Sequence, residues 1–146
     1  MNICLLSGST LGSAEYVAEH LETILKTQGF STALFHGASY DDVIGEPLWL
    51  IVTSTHGAGE IPYNLRPLFD QIAQSHLDLS HLRFAIVGLG NSDYDTFCYA
   101  TNHIENILEQ KGAVKLCETL KIDVLHVEDP ESHSEQWLPL FIQSIT

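Results

Sequence analysis

The sequence predicts an α/β fold: an open parallel sheet covered by helices on both faces. Three observations predict it. Short, continuous apolar runs recur along the chain, as expected of strands buried on both faces. Amphipathic stretches at helical spacing lie between them. The first, third and fourth apolar runs each end in a loop rich in Gly, Ser and Thr. In open parallel sheets, ligands gather beyond the carboxyl ends of strands, where the strand order reverses.

Ile3-Cys4-Leu5-Leu6 is the first strand, and Ser7 to Ser13 is the small-residue loop after it. From Ala14 to Lys26, Val17, Leu21, Ile24 and Leu25 share one helical face, and Gly29 stands where a helix C-cap belongs. Thr32 to Phe35 reads as the second strand and Leu48 to Val52 as the third, ahead of Thr55-His56-Gly57-Ala58-Gly59. Leu65 to Ala73 reads as a short helix, with Pro67 tolerated in its first turn. Phe84 to Val87 is the fourth strand, ending in Gly88-Leu89-Gly90-Asn91. Ala100 to Gln110 is helical, with Ile104, Ile107 and Leu108 on one face and Gly112 beyond its end. Val114 to Val127 contains a last strand, with a break placed near Lys121, and Ser134 to Ile145 is a helix that Pro139 would kink. No repeat, low-complexity block or Pro/Gly/Ser linker interrupts residues 1–146, which read as one domain.

Composition narrows the function classes. Hydrophobic residues make up 45% and charged residues 17% of the chain, a globular balance. Six Lys and Arg stand against 19 Asp and Glu, a net charge of −13 with His neutral. Such a surface repels a phosphate backbone, so nucleic acid is not an expected partner. It attracts basic protein faces, and it also aids solubility. Cys4, Cys98 and Cys117 form no C-x-x-C pair and no even framework, which fits reduced thiols in a cytosol. Met1-Asn2 enters an apolar run with no basic region before it, and nothing reaches ~18 apolar residues, so neither a signal peptide nor a membrane span is expected.

The first loop, Ser7-Gly8-Ser9-Thr10-Leu11-Gly12-Ser13, leaves a strand and opens a helix. Ser9, Thr10 and Ser13 offer hydroxyls, Gly8 and Gly12 permit close backbone approach, and the helix N-terminus adds free N–H groups. That is an anion cradle; an ordinary strand-to-helix turn has the same composition. None of the six basic residues lies in it, so a phosphate here would rest on neutral donors. Neither G-x-x-x-x-G-K-[ST] nor G-x-G-x-x-G matches. In the second loop, Ser54 to Pro62, the His56 imidazole is flanked by Gly57, Ala58 and Gly59. It can stack on a planar ring or sit solvated on a surface turn. No second His or Cys stands at zinc-ligand spacing from it. In the third loop, Gly88 to Cys98, Gly88-x-Gly90 is too short to indicate dinucleotide binding. Tyr94 lies among polar and acidic neighbours and reads as a stacking platform, whereas Phe97 reads as folded back on the core.

Together and in this order, the three loops resemble the flavodoxin family. That family pairs a Ser/Thr/Gly phosphate loop after strand one with a Ser-Thr-aromatic-Gly loop after strand three. After strand four it carries Gly-Leu-Gly-Asn-x-x-Tyr-x-x-Phe-Cys. The resemblance covers the whole chain. Leu5 to Leu21, Ser54 to Gly59 and Tyr94 to Cys98 are most similar to the small MioC-type group of that family; Thr55-His56-Gly57-x-Gly59 and Gly88 to Asn91 are also similar to the FMN domains of diflavin reductases. The resemblance implies a flavodoxin-like three-layer sandwich with a five-stranded parallel sheet in the order 2-1-3-4-5. It would be of the short-chain type, since the chain lacks room for the insertion that splits strand five in long-chain flavodoxins.

FMN is the cofactor so implied, and roles follow by position. Ser9, Thr10, Gly12 and Ser13, with the backbone around Leu11, would hold its phosphate. Ser54, Thr55, His56 and Gly57, continuing into Ala58 and Gly59, would lie along one face of the isoalloxazine, with Gly57-Ala58 as the peptide that flips toward flavin N5. Tyr94 would stack on the other face. Leu89, Gly90 and Asn91 would reach the ring edge through the backbone, and Phe97 and Cys98 would complete the third loop. Leu11 and Ala14 occupy places where threonine is usual, which should weaken phosphate binding, and His56 replaces the usual Trp or Tyr.

A flavodoxin leaves the chemistry to its flavin, so the resemblance implies an electron carrier rather than an enzyme, in the cytoplasm. Its partners would be redox proteins with basic docking faces: a flavin-containing NADPH reductase as donor and an iron–sulfur enzyme such as biotin synthase as acceptor. The alternative is an FMN-dependent reductase acting directly on a small substrate such as a quinone, for which no second nucleotide motif is found. A flavin-free signalling module fits poorly, because Ser7-Gly8-Ser9 stands where receiver domains place acidic residues. Asp93, Asp95 and Glu60 are close in sequence to the ring contacts. One added charge within ~10 Å, at an effective dielectric near 20, costs a reduced anionic flavin of order 1–2 kcal/mol, so a low potential is expected. A protonated His56 would raise it at low pH. Cys98 reads as a buried structural thiol.

Overall fold

A computed structural model describes residues 2–9, 12–55, 59–93 and 98–146. The elements run β1 (Asn2–Gly8), α1 (Ser13–Thr27), β2 (Ser31–His36), α2 (Tyr40–Val43), β3 (Leu48–Ser54), α3 (Arg66–Gln74), β4 (Arg83–Gly90), α4 (Tyr99–Gln110), β5 (Val114–Lys115), β6 (Leu120–Asp123) and α5 (Pro130–Ile145). All strand pairs are parallel, in the order β2-β1-β3-β4, and the fifth position is shared by β5 and β6. The expected order 2-1-3-4-5 is therefore present, with its last strand in two pieces.

Alternation along each strand builds the three layers. On β1 and β3, Ile3, Leu5, Leu50 and Val52 face one side and pack with Val17, Leu21, Trp137 and Phe141 of α1 and α5. Cys4, Leu6, Trp49 and Ile51 face the other and pack with Phe69, Ile72, Ile104 and Leu108 of α3 and α4. Burial on both faces is why these strands read as continuous apolar runs. Helix α1 ends as its Gly29 suggests: Gly29 N–H donates to Lys26 O (3.0 Å) and Phe30 N–H to Leu25 O (3.1 Å), the paired bonds of a Schellman cap.

The structure departs from the sequence expectations in four places. Ser7-Gly8 and Gly88-Leu89-Gly90 belong to strands, because the ladders continue through Gly8↔Thr53, Thr53↔Gly88 and Ser54↔Leu89 after the apolar residues stop. The single turn α2 is too short to show a helical period. The break in the last strand, expected near Lys121, falls at residues 116–119, and Lys121 itself lies within β6. Leu116 N–H still bonds Phe84 O (2.8 Å). The ladder then lapses, where Trp137 Nε1 donates to Glu118 O (3.2 Å) and the Thr119 hydroxyl to Glu105. Helix α5 begins four residues before Ser134, because Asp129 caps it through Ser132 N–H (3.2 Å) and Pro130 suits its first turn. The helix runs on through Pro139, with Trp137 and Phe141 stacked at 5.9 Å between ring centroids.

Candidate functional site

Strands β1, β3 and β4 are neighbours, so the three loops leave the sheet side by side at its carboxyl edge. The strand order reverses between β1 and β3, since β2 lies on the far side of β1. A crevice beyond that reversal is where open α/β sheets bind ligands, and flavodoxins themselves are a standard example of the rule.

The first loop is built on two glycines. Gly8 is buried, and a Cβ there would come 2.4 Å from Leu65 Cγ and 2.8 Å from Asn64 Oδ1. Only glycine lets the segment after the second loop lie directly on β1. Gly12 is the N-cap of α1 with φ +88°, a left-handed conformation open chiefly to glycine. Its N–H donates to Ser9 Oγ (2.7 Å), and the Ser9 hydroxyl donates to Glu15 Oε2 (2.5 Å). Asn64 Nδ2 donates to the other oxygen of Glu15 (3.3 Å). Ser13, exposed, opens the helix. Beneath the loop, the buried Ser7 hydroxyl pairs with His36 Nδ1, while His36 Nε2 meets Glu19 Oε1 at 3.2 Å.

Ser54 ends β3 and is half-buried; Thr55 Oγ1 accepts from Ala100 N–H (3.3 Å), tying the second loop to the start of α4. Gly59 is buried with φ +99°. Farther on, Arg66 meets Glu60 Oε2 at 2.6 Å and lies 4.8 Å from the Tyr63 ring centroid. In the third loop, Gly90 and Asn91 are half-buried and Asn91 Oδ1 accepts from Asp93 N–H (2.9 Å). The Leu89 and Cys98 side chains belong to the core, so these two positions offer backbone only. Cys98 adopts φ +54° as the N-cap of α4, and its carbonyl accepts from the Thr101 hydroxyl (2.7 Å). Burial pushes its thiol up to about 12, against which Lys121 acts weakly.

Thr10, Leu11, His56, Gly57, Ala58, Tyr94, Asp95 and Phe97 lie outside the described residues. The described ones that sequence reasoning singled out are brought together at one edge. Three residues it passed over join them: Glu15, Asn64 and Asp123. Asp123 ends β6 opposite Gly90 and accepts from Ser92 N–H (3.2 Å) and Leu125 N–H (3.1 Å), holding the third loop against the sheet. Hydrogen bonds from Ser92, then Leu125, keep its carboxyl below the usual range. Their long-range partners leave no local trace: Asn64 reaches Glu15 across 49 positions and Ser92 reaches Asp123 across 31. Among the described residues there is no group of three or more His, Cys, Asp and Glu able to hold a metal ion, and no helix long and apolar enough to cross a membrane.

Known proteins share this arrangement. The Flavodoxin family profile matches residues 5–137. The MioC homolog of Haemophilus influenzae is 66% identical over 145 residues, covering 99% of each chain. The MioC protein of Escherichia coli K12 is 47% identical, covering 94% of this chain and 93% of its own. Flavodoxin YqcA of Escherichia coli K12 is 32% identical, covering 93% of both. Among solved structures, a cysteine-to-alanine mutant of flavodoxin from Pseudomonas aeruginosa superposes with a TM-score of 0.90 at 33% identity, over 99% of this chain and 98% of that one. With likeness running end to end in both sequence and strand order, and with MioC-type proteins among its relatives, the chain belongs to the flavodoxin family.

Proposed function

We propose that residues 1–146 form one flavodoxin-like domain that binds FMN and carries electrons between redox proteins in the cytoplasm. The observation that supports it most is the adjacency of β1, β3 and β4 at the strand-order reversal, where their carboxyl ends carry the three loops. The residues present fit a flavin phosphate. Gly12 opens the helix end in a left-handed turn shaped by its bond to Ser9 Oγ, and Ser13 stands beside it with its hydroxyl and the first amides of α1. This donor set is neutral, in keeping with an anion held by amides and a helix end.

Bound FMN would supply the electron transfer; the chain would bind and orient it. The first loop would hold the phosphate, with Thr10 contributing its hydroxyl and amide and Leu11 its backbone. Ser54, Thr55, His56, Gly57 and Ala58 would line one face of the ring and Tyr94 the other, assignments that rest on their places in the family motifs. Leu89, Gly90 and Asn91 would meet the ring edge through peptide groups. Asp93, Asp95 and Glu60 would hold the potential low. The surface charge of −13 favours donors and acceptors with basic faces. A flavin-containing NADPH reductase and an iron–sulfur acceptor such as biotin synthase are the partners this reading names.

The test is the absorbance spectrum of the purified protein before and after adding FMN and removing the excess. Retained flavin bands with quenched fluorescence are the expected result. No retention at micromolar FMN would overturn the reading, and NADPH consumption without an added reductase would favour an FMN-dependent reductase instead.

A further inference from the structure

Resting on the FMN reading, one inference concerns how the phosphate loop is held in shape. In a capping box, the glutamate at the third helical position reaches back to the N–H of the N-cap residue. Here that glutamate is Glu15 and the N-cap is Gly12, but the two do not meet directly. Ser9 stands between them: its Oγ accepts Gly12 N–H at 2.7 Å and gives its only proton to Glu15 Oε2 at 2.5 Å. The second oxygen of Glu15 takes Asn64 Nδ2 at 3.3 Å. Asn64 is itself fixed. It follows Pro62, whose carbonyl accepts from both Leu65 N–H (3.0 Å) and Arg66 N–H (2.9 Å). It also packs on the Gly8 and Gly37 backbones, 2.8 and 3.1 Å from where their Cβ atoms would stand.

We infer that Glu15 and Asn64 are positioning residues of the phosphate loop, forming with Ser9 a latch that joins the exit of the second loop to the first. Two consequences follow. Ser9 serves the phosphate by shaping the loop, because its hydroxyl proton is already committed to Glu15. A carboxylate is tolerated next to an anion cradle because each of its oxygens is turned to a protein donor, in the first helical turn where negative charge is favoured.

The test compares dissociation constants for FMN and for riboflavin, which lacks the phosphate, by flavin fluorescence quenching. The proteins are the full-length chain and its Glu15→Ala, Glu15→Gln and Asn64→Ala variants. Gln retains an acceptor for Ser9 and lacks the charge, so it separates the latch from electrostatics. Glu15→Ala and Asn64→Ala are expected to raise the FMN constant about tenfold and the riboflavin constant less than twofold. Glu15→Gln should stay within about threefold of the unmodified chain for FMN. If Glu15→Ala binds FMN as tightly as the unmodified chain, or more tightly, Glu15 is idle or a competing anion and the inference fails. Equal weakening toward both flavins also overturns it, as does an Asn64→Ala variant with unaltered FMN affinity. Failure of the unmodified chain to bind FMN is a distinct result that removes the FMN reading itself.

Discussion

Helix α4 packs on β4 at Gly88, and that contact has a calculable cost. A Cβ at Gly88 would come 2.4 Å from Thr101 Cγ2, while the next atoms, Cys98 Sγ and Leu120 O, stand at 3.7 and 3.8 Å. Carbon atoms in good contact sit about 3.5–4.0 Å apart, so one methyl is roughly 1 Å too near and nothing else is. Thr101 is fully buried and cannot swing into solvent. Its rotamer is pinned by the 2.7 Å bond from its hydroxyl to the Cys98 carbonyl. Turning the methyl away forces an off-rotamer side chain, about 0.5–1.5 kcal/mol, and strains or breaks that bond, about 1 kcal/mol more.

Gly88→Ala should therefore destabilise by about 1.5–2.5 kcal/mol, within the range for overpacked cores. For a chain of this size that lowers Tm by about 5–10 °C. Thr101→Ser removes the offending methyl and keeps the hydroxyl, at a cost of about 1 kcal/mol for the lost buried carbon. The double variant should then be no less stable than Thr101→Ser alone, a coupling of about 2 kcal/mol. Urea unfolding of the four proteins, with m unchanged, measures it. Additive effects would refute the argument that this one methyl enforces glycine at position 88.

Other consequences are as direct. His36→Phe leaves the buried Ser7 hydroxyl without its imidazole partner and should cost about 1–3 kcal/mol in urea unfolding, most of it recovered when Ser7→Ala is added. Burial raises the Cys4 and Cys98 thiols from 9.0 to about 12, so above pH 9 the unfolded chain loses protons that the folded one keeps. Stability should fall as pH rises from about 9 toward 12, and Cys4→Ala with Cys98→Ala should flatten that slope; a flat profile in the unmodified chain would count against burial as the cause. Because no Lys or Arg lies in the first loop and the net charge is −13, added salt should screen repulsion of the phosphate and tighten FMN about two- to fivefold between low salt and about 0.5 M NaCl. Weaker binding at high salt would instead indicate a cation in the cradle.

What could be read from the chain depended on how far apart the interacting residues lie. Leu48 to Val52 is legible as a strand because Trp49 and Ile51 pack on one helical layer and Leu50 and Val52 on the other, leaving no polar position to alternate. Gly29 is legible because its cap involves only the turn beside it. Ser9 is half legible: a serine in such a loop suggests a hydrogen-bond donor, yet its proton goes to Glu15. Asn64 meets Glu15 across 49 positions and Ser92 meets Asp123 across 31, so neither pairing leaves a local trace. The bounds of the break at residues 116–119 are not local either. It is fixed by Trp137 and Glu105, on helices that flank it only after the chain has folded.

The convergence of the loops owes more to topology than to the loops themselves. Connections on the α1 side and on the α3 side leave the sheet in opposite directions at the β1–β3 boundary, which is where open α/β sheets form their binding crevice whatever residues the turns contain. Sequence acts at the places where the crevice must be closed from below. The segment from Pro62 to Leu65 crosses directly over β1 and admits no Cβ at Gly8, while α4 presses on β4 and admits none at Gly88. Two glycines that look in the sequence like flexible loop residues are thus rigid strand positions, chosen for absent volume.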